Sequence, residues 1–355
     1  MNILSVDSLQ SFIEIIESYP SDRYFYRGEQ EKFKELTSSA LRPYEYGWTS
    51  SKEYPFLNML QEFYMETAQK LSEMQKSDFP AFAQHYGIPT NLLDVTSSPL
   101  IALFFACEDK TNNTGYMYLF DNDYIDITNL IHNRGHKTIL NDLFIEDNEG
   151  ILDFIPLFTE YSENFPKKFA LCCRNLIEAY LKAFGDMDIL FASELFLSLE
   201  AELRKPIYQI DPFSVASYIS HIDKTIPSEK MKGCDIVVIA FLSLAKLFFI
   251  LARSTGVQIP SFDFFPNFIY RPIMAFERGK SQNGFFFYQL YISYLNPEGD
   301  KRFLLSQKIQ TTDIRFEIKN KEKIMRSLDN IGVNRKTIFR DFDSIASYIK
   351  DKYKV

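Results

Sequence analysis

The chain has 355 residues, 46% hydrophobic and 16% aromatic, with 34 Phe and 21 Tyr; that is core material for one large or two ordinary domains and excludes a disordered polyelectrolyte. Its 39 basic and 47 acidic residues leave a net charge of -8, which opposes attraction to a nucleic-acid backbone, so nucleic acid is not an expected partner. Cys107, Cys172, Cys173 and Cys234 form no CxxC pair, which fits a reducing, cytoplasmic setting and not a disulfide scaffold.

In chain order, MNILSVDSLQSFIEII (1–16) carries Asp7 and Glu14 where a secretion signal would be basic and then apolar. Leu9, Phe12, Ile13 and Ile16 share one face, which predicts an amphipathic helix. Tyr24-Phe25-Tyr26 reads as a strand covered on both faces, and it runs straight into Arg27-Gly28. A guanidinium at that place needs an anionic or carbonyl partner. Leu57, Leu60, Phe63, Thr67, Leu71 and Met74 recur at helical spacing and predict a surface helix. Ser98-Pro99 starts a helix that is apolar almost all round, and GYMYLF (115–120) is a strand between turns. These elements make a first zone, residues 1–124.

A second zone, 125–260, is helical by pattern, with segments at 143–155, 169–184, 193–205, 214–222 and 234–252. The last is the most apolar, but Asp235 and Lys246 interrupt it and no interfacial anchors flank it, so it reads as a core helix and no membrane association is expected. Cys172-Cys173 also falls in a core pattern. The third zone, 261–355, returns to strands at 285–295, 302–309 and 313–318, the first two joined as a hairpin around NPEGD (296–300). Two helices follow, one stopped by Gly332. The expected fold is α+β: an aromatic-rich mixed or antiparallel sheet core split between the first and third zones, with a helical insertion or subdomain between them.

The densest chemistry lies in FPAFAQHYGIPTNLLDVTSSPLIALFFACED (79–109). Asp94, Thr96, Ser97 and Ser98 surround a helix amino end, where free N–H groups and the dipole can hold a phosphate or simply be capped. His85 is a candidate acid or base and equally a packing residue. His132 and His136 have the spacing of a metal pair, but HNRGH has no glutamate and no third ligand, so no metal is expected. Walker, GxGxxG and GxSxG motifs are absent.

YRGE (26–29), LTSSALRP (36–43), AQHYGIPTNLLDVTSSPLIALFFA (83–106), RGKSQNGFF (278–286) and NIGVNRKTIFRDFDSIASYIK (330–350) together resemble the FRG domain family. The resemblance implies a bacterial protein acting in defence or toxicity. The order of Arg27, Thr96-Ser97-Ser98 and then Glu277 with Gln282 is also similar to that of Arg-Ser-Glu ADP-ribosyltransferases. That likeness implies NAD as cofactor, Arg27 on its pyrophosphate, Gly28 admitting close backbone approach and Ser97 on the nicotinamide ribose. Glu277 precedes the strand on or beside which the motif places its carboxylate, and Gln282 carries no charge. The candidate catalytic residues are therefore His85, Glu277 and Gln282, and the candidate ligand-binding residues are Tyr26, Arg27, Gly28, Arg42, Gln84, Thr90, Asp94, Thr96, Ser97 and Ser98. Two readings stay open: an enzyme acting on NAD or another nucleotide-like small molecule, or a non-catalytic module that meets a protein partner through its helical insertion. Arg27 likewise is either a ligand contact or half of an ion pair with Asp94.

Overall fold

The computed structural model describes residues 2–20, 23–33, 36–42, 55–109, 112–134, 150–184, 236–257, 259, 261–273, 279, 281–295, 299 and 302–353. The expected helices at 193–205 and 214–222 lie outside these residues, as do Cys234, residues 143–149 and most of the loop at 296–300.

The amino terminus departs from the sequence reading. Asn2–Val6 is a strand, β1, and the amphipathic helix α1 begins only at Leu9 and runs to Ile16. Ser8 sets the boundary: its hydroxyl accepts from the Ser11 amide while the Ser11 hydroxyl accepts from the Ser8 amide, a reciprocal cap. Then come β2 (Tyr24–Glu29), α2 (Pro55–Thr67), α3 (Glu73–Ser77) and α4 (Phe79–His85). The single helix expected over 57–74 is thus two, because Ser72 caps a new start with Gln75 after a short 3-10 turn. β3 (Leu92–Thr96), α5 (Pro99–Cys107), β4 (Gly115–Asp121), β5 (Tyr124–Asp126) and α6 (Thr128–Arg134) follow.

The middle of the chain supplies α7 (Gly150–Asn164), α8 (Pro166–Phe184) and α9 (Ile236–Thr255). The rest is β6 (Ser261–Phe262), β7 (Asn267–Tyr270), β8 (Gly284–Tyr288), β9 (Tyr291–Leu295), β10 (Arg302–Gln307), β11 (Ile314–Ile318), α10 (Lys321–Asn330), α11 (Arg335–Phe339) and α12 (Phe342–Lys352).

The large sheet has the order β1-β11-β4-β2-β3-β8-β7-β5, parallel in its outer pairs and antiparallel inside, and draws its strands from both ends of the sequence. The fold is α+β with a mixed sheet. A small second sheet, β6-β10-β9, contains the expected hairpin, with Leu295 opposite Arg302. The run 285–295, read as one strand, is two in different sheets. Gln289 is the pivot, its buried amide accepting from the Ser38 N–H at 2.9 Å and donating to the Gln307 carbonyl at 2.7 Å.

α5 lies so close to the sheet that β2 and β4 each need a glycine there. A Cβ on Gly28 would stand 1.9 Å from the Ala102 carbonyl oxygen, and one on Gly115 would stand 2.0 Å from that of Ala106. The far side of α5 packs with Phe12, Ile324, Leu328 and Phe339, which explains why its sequence has no polar face. On the other flank, α7, α8 and α9 share one aromatic core with β7 and the small sheet, where Phe158, Phe241, Phe265 and Phe268 meet edge to face or tilted. One described helix, α9, is long and apolar enough to cross a membrane; 67% of its apolar window is buried in this core. Burial pushes the Cys107 and Cys172 thiols up to about 12, so neither is a reactive thiolate at neutral pH.

Candidate functional site

Strands β2 and β3 are joined at one register position, Tyr26 opposite Thr96, while β2 stays paired with β4 from Tyr24 to Glu29 and β3 with β8 from Leu92 to Thr96. Beyond Tyr26 the two central strands fork. Arg27 stands in the fork, its Nη1 donating to the Asp94 carbonyl at 2.6 Å and its Nε to Glu29 at 2.5 Å. The Asp94 carboxylate is farther, at 3.9 Å. The guanidinium has both a carbonyl and an anionic partner, and the nearer anion is Glu29. Strand alternation puts residues two apart on one face, so Glu29 was available from the sequence and was overlooked there. Burial acts to lower the Arg27 pKa, but Glu29 and Asp94 outweigh it and hold the group above its ordinary value.

A cavity of about 340 Å³ opens at this fork. β2 lines it with Tyr26, Arg27 and Gly28, β3 with Asp94, Val95 and Thr96, α4 with Ala81, Gln84 and His85, and α5 with Phe105. Gly279 and Gln282 on the approach to β8, and Gly284, Phe285 and Phe286 of β8 itself, close it. Segments far apart in sequence thus meet here, and Phe105, Phe285 and Phe286 join Tyr26 as its aromatic walls.

Other candidates stand behind the wall or away from it. Thr90, fully buried, donates its hydroxyl to Gln84 Oε1, and Gln84 Nε2 donates to Asp94 Oδ2 at 3.0 Å, so Thr90 orients a lining residue. Thr96 donates to the Gln282 carbonyl at 2.8 Å and accepts from the Ser98 amide at 3.0 Å, bracing the two sides of the cavity. Ser98 caps α5 by accepting from the Ile101 amide, and exposed Ser97 gives its amide to the Asn283 carbonyl at 3.3 Å. Neither serine lines the cavity. Arg42 is also elsewhere, with Nε on the Thr37 carbonyl at 3.2 Å and its guanidinium over Phe33. Glu277 lies outside the described residues. The close backbone approach at Gly28 is that of α5.

Two lining groups have no protein partner among the described residues. Gln282 Nε2 is buried without a hydrogen bond. Tyr26 is 1% exposed and its hydroxyl makes no hydrogen bond; burial, with Tyr24 nearby, pushes this phenol up to about 12. Asp94 presents a side chain that is 65% exposed, and His85 is exposed with its ring edge-on to Tyr86 at 5.1 Å.

A second polar centre, absent from the sequence reading, sits at the other end of α4. Asp78 is 2% exposed, and its Oδ1 accepts from Tyr270 at 2.7 Å and from His132 Nε2 at 2.6 Å. Burial beside the Asp78 carboxylate drives the Tyr270 pKa far above that of a free phenol. His132 therefore meets a carboxylate, while His136 lies outside the described residues. Among the described residues no group of three or more His, Cys, Asp or Glu could hold a metal ion.

These features define an α+β protein whose mixed sheet forks at its centre around a polar, aromatic-walled cavity. The strands of that fork, with α4 and α5, fall within residues 22–115, and this stretch matches the FRG domain family: the chain carries an FRG domain. Neither the curated proteins nor the solved structures give a match.

Proposed function

We propose that the forked-strand cavity binds a nucleotide-type small molecule, with NAD the leading candidate, and that the protein uses it in the bacterial defence or toxin setting that the family resemblance implies. The observation that carries this reading is the convergence of Arg27, Gln84, His85, Asp94 and Gln282 on one aromatic-walled cavity, with Gln282 Nε2 buried and unpartnered beside it. An orphaned buried donor costs about 1–3 kcal/mol, so an acceptor on a ligand or a water that completed it would be favoured. At about 340 Å³ the cavity is at the small end of ligand pockets, which suits a nucleoside-sized portion with the rest of the ligand outside.

Cleavage of NAD, or transfer of its ADP-ribose, breaks the bond from ribose C1′ to nicotinamide and builds positive charge on the ribose, which a carboxylate stabilises. Asp94 is the carboxylate on the described wall, and His85 is an exposed lining residue from which a base could serve an incoming nucleophile. Titrating the full chain with NAD, ADP-ribose and AMP by calorimetry and thermal shift tests the reading. Stabilisation is expected, about 2.7 kcal/mol at a hundred times Kd, and should vanish in a folded Gln282→Leu variant. An assay of NAD turnover follows from a positive result. No binding by any of the three would overturn the ligand reading and pass the role to a non-catalytic module with a protein partner on the helical segment.

A further inference from the structure

The charges around the cavity are unequal. Arg27 is the cation on its described wall, and two carboxylates already answer it, Glu29 at 2.5 Å and Asp94 at 3.9 Å, while its Nη1 is held by the Asp94 carbonyl at 2.6 Å. Arg271 is the next cation near these rings, over Phe285 at 5.0 Å, but it pairs with Asp126 at 3.4 Å and does not line the cavity. An entering phosphate would therefore meet a neutralised guanidinium and the exposed Asp94 carboxylate. Among the described residues a cation would meet that carboxylate with Arg27, which Glu29 holds more closely, as the full positive charge beside it, and the faces of aromatic rings favour a cation.

The hydrogen-bonding groups add a second constraint. Gln282 lines the cavity and its Nε2 is buried without a partner, so a turn of this amide toward the cavity would offer a donor to an acceptor on the ligand. Asp94 takes one hydrogen bond on Oδ2, from Gln84 at 3.0 Å, which leaves Oδ1 to accept from the ligand. The Tyr26 hydroxyl is a further donor or acceptor on a residue of the same wall.

Resting on the reading of the cavity as a ligand site, we propose that the group entering it is a planar cation bearing both a hydrogen-bond acceptor and a donor, and that any phosphate stays outside. A carboxamide-substituted pyridinium has this chemistry: the ring charge faces Asp94, the amide oxygen accepts from Gln282, and the ring packs on Tyr26, Phe105 or Phe286. Arg27 is then a positioning residue, holding Asp94 through its backbone.

The test compares pairs of ligands whose chief difference is the charge on the ring, on the full chain by calorimetry. N1-methylnicotinamide, a permanent cation, is expected to bind at least about tenfold tighter than neutral nicotinamide, and NAD tighter than NADH by a similar factor. Asp94→Asn, at an exposed position, should bring the first ratio close to one while the variant still binds nicotinamide. A free pyridinium and one carried on a dinucleotide are separated by whether NAD gains over N1-methylnicotinamide. Equal binding of NAD and NADH, or ADP-ribose binding as tightly as NAD, would overturn the cationic assignment and leave the ligand site standing. Silence from every compound would overturn both.

Discussion

Two charged side chains organise this protein, and they are partnered in different ways. At Asp78 a phenol and an imidazole converge on one carboxylate oxygen, joining the start of α4 to α6 and β7. At Arg27 the partners are Glu29 and a main-chain carbonyl across a fork in the sheet, and the fork leaves a cavity with unpaired groups on its wall. The first centre is a clamp and the second an opening. They are linked through α4, seven residues or about 10 Å long, which begins beside Asp78 and carries Gln84 and His85 to the cavity. A buried polar centre, in which Oδ1 of Asp78 holds two donors and, among the described residues, Oδ2 holds none, thus fixes one wall of the cavity.

The contrast is broken most severely at the clamp. Asp78→Ala leaves the Tyr270 hydroxyl and the His132 ring without their shared acceptor in a buried place, and should cost about 3–5 kcal/mol in urea unfolding. A loss below about 1 kcal/mol would show that the three groups do not act together. Arg27→Ala comes next, at about 3 kcal/mol, because it strands Glu29, 12% exposed, without its counter-charge. The double variant Arg27→Leu with Glu29→Leu should be less destabilised than the sum of its single changes, by about 1–3 kcal/mol; simple additivity would mean that the pair is uncoupled. Tyr270→Phe removes one charge-assisted hydrogen bond and keeps the ring stacked on Phe286, so about 1.5 kcal/mol is expected.

Sequence signals are local, and the parts of this fold that escaped them are not. β2 and β4 were legible because their aromatic runs stand alone between turns, and α5 because Ser98-Pro99 announces it. β1 was absorbed into the following helix pattern, since its reason for being a strand is a parallel partner, β11, at the far end of the chain. β3 is five residues long and gains its identity from β8, so Leu92–Thr96 read only as the approach to a helix. In the candidate site, Arg27, Gln84, His85, Asp94 and Gln282 were named from sequence and do meet at one cavity. The Asp78 clamp could not be read, because Asp78 lies 54 residues from His132 and 192 from Tyr270. The i, i+4 spacing drew attention to His136 instead.

The smallest expected effect on stability is also the sharpest test of the contrast. Gln282→Leu deletes a buried amide nitrogen that has no partner, so the desolvation cost of that group disappears with it, and the variant should be as stable as the wild type or up to about 1 kcal/mol more stable. The opposite sign to Asp78→Ala is what separates a donor with no partner from a carboxylate oxygen that holds two donors. If Gln282→Leu instead loses more than about 1 kcal/mol, the amide is satisfied in solution, and an ordered water in the cavity becomes the occupant that any ligand must displace.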